Sequence, residues 1–144
     1  MQIKKYNPKN QTTPGENEFR FYIQSVGENS GRPLREPIPN SWEVITKREI
    51  DFQILYIVFE SRILESFWRG SVITFISLHD YKNIIFPILK SAIHENNIIN
   101  QHYLQIEKIE NQINHQQKIK TLLQELKKTT ARKVFNDFKK CEIV

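Results

Sequence analysis

Apolar and polar positions first fall into a readable order at Phe19, where Phe19, Phe21 and Ile23 alternate with Arg20, Tyr22 and Gln24. That period of two predicts a half-buried strand ending near Gly27. Residues 1–18 hold Asn, Gln, Thr, Pro14 and Gly15 with one Ile and one Tyr, too little apolar surface to offset the entropy of ordering them. They read as a flexible arm. Between 28 and 40, Gly31, Pro33, Pro37 and Pro39 exclude both a helix and a central strand. Ser41 to Ile45 then predicts a short second strand.

Helical spacing follows. Thr46 and Glu49 stand three apart, as in a capping box, before an apolar set of Ile50, Ile54, Ile57, Val58, Leu64 and Phe67. Phe52, Leu55, Phe59 and Ile63 widen this stripe, which predicts a helix buried on more than one side and stopped by Gly70. Ser71 to Leu78 is dense in β-branched and aromatic residues and predicts a third strand. Ser77 and Asp80 repeat the capping spacing, so another helix should start near His79. Pro87 is expected to divide that short helix from a long one over about residues 88–128. The long helix carries Ile99, Ile106, Ile109, Ile113, Leu122 and Leu126, interrupted by Gln116. Its stripe is narrow, so it should stand clear of the body or pair with one neighbour, self-association through this Ile/Leu seam included. Thr129 and Thr130 suggest a break before a last helix, whose Phe135 and Phe138 read as anchors docking it or, interleaved with lysines, as platforms for base stacking. The predicted class is α+β: about three strands on a buried helix, followed by long C-terminal helices. The predicted organisation is an arm at 1–18, a body at 19–86 and a basic helical region at 87–144.

Composition adds charge to this picture. Of a net +5 over 144 residues, the stretch from Lys118 to Lys140 carries +6 and the other 121 residues −1. The basic residues are Lys118, Lys120, Lys127, Lys128, Arg132, Lys133, Lys139 and Lys140. Such a cluster attracts phosphate backbones or acidic protein surfaces with salt-dependent affinity, and it equally suits the solvated face of an amphipathic helix.

Motifs for chemistry are sparse. Cys141 is the lone cysteine, so no intramolecular disulfide can form, and near the chain end it is poorly placed as a nucleophile. His79, His94, His102 and His115 have no metal-ligand spacing, and His102 should sit partly buried near the stripe. No phosphate-cradling glycine loop occurs. Glu107 and Glu110 share a helical face but read as solvated. Neither an apolar leader nor an 18-residue apolar run is present, which predicts a cytoplasmic protein with no membrane partner. No enzymatic activity, metal or cofactor is expected.

Two segments carry a resemblance. Asn29-Ser30-Gly31-Arg32-Pro33-Leu34, the Pro37 and Pro39-Asn40 turn, and Gly70-Ser71-Val72-Ile73 with Phe75-Ile76 resemble a family of small uncharacterised proteins of bacterial mobile elements and prophages, over about residues 19–90. That family implies no catalytic residue. Phe86-Pro87-Ile88-Leu89 and Gln116-Gln117-Lys118-Ile119 are similar to the spacer segments of type I restriction specificity subunits. Size and a basic helical tail also look similar to anti-CRISPR proteins. That likeness implies a non-enzymatic phage inhibitor of a type VI-B RNA-guided RNA-targeting nuclease, bound to the effector nuclease, its guide RNA or both through Lys118 to Lys140. The alternative is a nucleic-acid-binding regulator or recognition module.

Overall fold

The computed structural model describes residues 1–10, 13–92 and 96–141, with side chains through Lys139. Four antiparallel strands form one sheet in the order β1-β4-β2-β3: β1 Gln2–Lys5, β2 Phe19–Gln24, β3 Pro33–Leu34 and β4 Ser41–Thr46. Helix α1 Ile50–Glu60, a 3₁₀ turn Ile63–Phe67, helix α2 Leu78–Ser91 and helix α3 Asn96–Cys141 complete an α+β fold. The chain divides into two units, Met1–Leu104 and Gln105–Val144. The first therefore runs well past residue 86 and takes in the start of α3.

Every residue of β4 is buried, because β1 and β2 flank it on both edges. Register places Ile3, Phe21, Ile23, Trp42 and Val44 on one face. Helices cover that face: Phe52 of α1 meets Phe21 edge-on with ring centres 5.4 Å apart, and Tyr81 of α2 lies 5.4 Å from Trp42. The opposite face carries Lys4, Arg20 and Glu43. Glu43 is almost fully buried, with Lys4 Nζ at 3.0 Å and Arg20 Nε at 3.2 Å. The first turns of α3 seal the far side of α1, where Tyr103 (6% exposed) packs edge-on against Phe52 and Tyr56.

Several expectations are corrected. The segment read as a flexible arm supplies β1, held by four residue pairs with β4 and by the Tyr6–Tyr22 ring contact, while Gln11 and Thr12 lie outside the described residues. Thr46 and Glu49 make no capping box: Thr46 ends β4 and bonds Asp51, and Glu49 caps α1 without a side-chain hydrogen bond. Helix α1 stops at Glu60, since Arg62 turns left-handed (φ 62°), so Leu64 and Phe67 belong to a separate 3₁₀ turn.

Ser71 to Leu78 is not a strand. Arg69 and Phe75 exchange backbone hydrogen bonds of 2.8 and 2.9 Å, closing a loop over a left-handed Gly70 (φ 92°) and leaving Val72 92% and Ile73 62% exposed. The sheet owes its edge strands to β1 and β3 instead. Pro87 lies inside α2, which runs on to Ser91. Ser77 does cap that helix, accepting from the Asp80 amide. No break occurs at Thr129 and Thr130, because their hydroxyls bond the Glu125 and Leu126 carbonyls four residues back and the helix continues.

Candidate nucleic-acid interface

All eight predicted basic residues lie on α3, a single helix to Cys141. Asn, Gln and Lys dominate its sequence, and helical hydrogen bonding inside the helix satisfies the backbone without a neighbouring strand. At about 100° per residue, Lys118, Lys128, Arg132, Lys133 and Lys139 share an arc of about 140°. Lys120 and Lys127 lie across the helix from them. Lys140 lies outside the residues whose side chains are described, as does Cys141. The spacing of the five spans about 32 Å of helix axis.

These five are exposed, and among the described residues none of them forms an ion pair. Lys139 Nζ sits 4.9 Å above the Phe135 ring, a cation–π contact that steadies one member. Glu125 falls within the same arc and offsets one positive charge. Phe135 and Phe138, expected as docking anchors, are exposed, Phe138 by 65%. They are available for contact rather than spent on burial.

The apolar stripe is also relocated. Leu122 follows Ile113 by nine residues, a turn of about 180°, so those two cannot share a seam. Ile109, Ile113, Ile119, Leu123, Leu126, Val134 and Phe138 do share an arc of about 140°, roughly opposite the basic one. Sequence reading missed Ile119 and Leu123; phase angle, not spacing by eye, finds them.

Histidines do not gather. His79 is exposed beside Asn83, His102 and His115 are exposed, and His94 lies outside the described residues. Tyr103, not His102, is the buried residue of that turn. Among the described residues, no three of His, Cys, Asp and Glu converge to hold a metal ion, and no helix is long and apolar enough to cross a membrane.

One cleft of about 420 Å³ was not legible in the sequence, because it joins the end of β4 to α1 and α2. Lys47, Arg48 and Lys90 line it with Glu18 and Asp51, and Arg48 is held by Asp51 at 3.0 Å. Two carboxylates thus offset two of its three cations. The basic arc of α3 has the larger uncompensated charge.

No curated protein and no solved structure matches the chain. A model described as a family of unknown function (DUF6943) matches residues 3–133, taking in β1, the rest of the sheet and most of α3, and the chain belongs to that family.

Proposed function

We propose that this protein is a non-enzymatic binding module of the bacterial cytoplasm whose α3 grips a nucleic-acid backbone. The observation that carries the reading is the basic arc: five exposed cations in phase along about 32 Å, with one carboxylate among them. Phosphates repeat along such a length, and each lysine that neutralises one releases a counterion. Affinity should come mainly from charge, since contacts to phosphate fix position without carrying sequence information.

A narrower form of this reading has the protein inhibit a type VI-B RNA-guided nuclease by occupying its guide RNA or the acidic wall of its channel. The exposed Val72 and Ile73 loop favours it, because an apolar loop in water suits a protein partner.

Fluorescence anisotropy with labelled single-stranded RNA and duplex DNA tests the general reading. Five engaged cations give a slope of log K against log salt of roughly −4 to −5 on duplex DNA. Lys128→Glu, Arg132→Glu and Lys133→Glu together should remove most binding. Affinity indifferent to salt, or kept by the triple variant, would sink the basic-face mechanism. A pull-down from host lysate with and without ribonuclease then separates the two forms: a nuclease retained after ribonuclease supports inhibition, and nucleic acid alone supports the module acting directly.

A further inference from the structure

We propose that the cleft at the end of β4 binds a small organic carboxylate, a single anionic head on an aromatic ring or short apolar chain. The cleft has a volume of about 420 Å³ and lies wholly within the first unit. Small-molecule sites run from about 300 to 1,000 Å³, so this one suits a ring or short chain and not a polymer.

The chain brings cations and apolar surface together there. Lys47 and Arg48 follow the last residue of β4, and Lys90 lies in the last turn of α2. Phe86, Leu89 and Lys90 stand three and four residues apart, the spacing that sets side chains on one side of a helix. Phe86 is 41% exposed, a ring the core does not use, and Ile45 and Leu89 supply apolar surface beside it. An inorganic anion would leave that ring in water, whereas a ligand with an apolar body covers it.

Arg48 is already held in place. Its amide donates to Thr46 Oγ1 at 3.3 Å, its Nη2 lies 3.0 Å from Asp51 Oδ1, and Asp51 accepts the Thr46 hydroxyl on its other oxygen. Asp51 is 4% exposed, so the guanidinium is fixed from a buried base. Nε and Nη1 of Arg48 have no partner among the described residues, which leaves donors for an anion at little ordering cost. Glu18 is engaged by its own loop, its Oε2 accepting from the Gly15 amide at 3.0 Å. Lys47 and Lys90 form no ion pair among the described residues. Three cations against two carboxylates leave one positive charge among the lining side chains. A carboxylate closes that balance, and a phosphate monoester, at about −1.5 to −2 near neutral pH, overshoots it. The site shares no residue with the basic arc of α3, so it does not depend on the nucleic-acid reading.

Titration of the nitrogen-15-labelled full chain with phenylacetate, followed by amide shifts in NMR, tests the proposal. Saturable shifts centred on residues 46–51 and 86–90 are expected. Phenylacetamide, the neutral match, should bind about tenfold more weakly or worse. Lys47→Gln with Lys90→Gln should weaken phenylacetate about fivefold, and Phe86→Ala roughly two- to tenfold. All three positions are exposed, so the fold should survive each change. The Lys128→Glu, Arg132→Glu and Lys133→Glu chain should bind phenylacetate as the parent does. No saturable shift, shifts centred on α3, phenylacetamide or acetate binding as tightly as phenylacetate, or full affinity in the double lysine variant would each overturn the proposal. Tighter binding of phenyl phosphate would replace the carboxylate with a phosphate and overturn the charge argument.

Discussion

Thr46 Oγ1 donates a hydrogen bond to Asp51 Oδ2, joining the last residue of β4 to the first turn of α1. Asp51 is only 4% exposed, and its other oxygen lies 3.0 Å from Arg48 Nη2. The hydroxyl that resembles a helix cap in the sequence therefore serves a buried carboxylate. The bond fixes how the helix leaves the sheet. Beside it opens the cleft lined by Lys47 and Lys90.

Removing that hydroxyl should be costly only while the carboxylate is there to miss it. Thr46→Val leaves a buried charged acceptor short of a donor and should lower stability by about 2 kcal/mol. With Asp51→Ala already present, the same substitution should cost little, since the two residues act as one unit. Urea unfolding followed by Trp42 and Trp68 fluorescence measures both. Additive losses would show that the two side chains are not coupled.

Gly31 makes a second demand on the fold. Its φ is +96°, and a Cβ there would stand 2.5 Å from Leu64 Cδ1, a side chain 1% exposed and hemmed in by the core. Gly31→Ala combines backbone strain of about 1–2 kcal/mol with overpacking of about 1–3 kcal/mol. The melting temperature should fall by on the order of 10 °C. Adding Leu64→Ala should make the two losses less than additive, because the clash goes with the leucine. An unchanged melting temperature in Gly31→Ala would show that the loop yields at no cost.

Which parts of this fold the sequence disclosed depends on where the stabilising contacts lie. Strands β2 and β4 are legible because their own side chains alternate or are dense in β-branched and aromatic residues. Strand β1 is not, since Ile3 is its one apolar residue and its order comes from pairing with β4. Ser71 to Leu78 has the composition of a strand, yet its backbone meets the run-on of β2 only around the Val26–Phe75 bridge, and the bonds between Arg69 and Phe75 close the residues before it into a loop. At Thr129 and Thr130 the hydroxyls that usually compete with a helix bond into it instead. For the candidate interface, the charge count located the helix, but which cations work together depends on phase. Lys120 and Lys127 belong to the apolar side, and only angular placement separates them from Lys128 and Arg132.

Tyr81 couples the core to pH. It is fully buried against Trp42, and among the described residues its hydroxyl has no hydrogen-bond partner. Burial pushes its ionisation well above the ordinary tyrosine range, because the phenolate would lose its hydration. The sign follows from which state releases the proton. Below pH about 10 both folded and unfolded chains keep it, and this contribution to stability is fully present. Above that pH the unfolded chain ionises while the folded one does not, so stability falls by about 1.4 kcal/mol per pH unit until the folded group titrates. Tyr81→Phe keeps the ring and removes the unpaired hydroxyl. It should raise stability by about 1 kcal/mol at neutral pH and flatten the alkaline slope relative to the parent chain. Urea unfolding at neutral pH and at two alkaline values measures both effects. Equal slopes in the two chains would mean that water reaches the hydroxyl and that this part of the core is open.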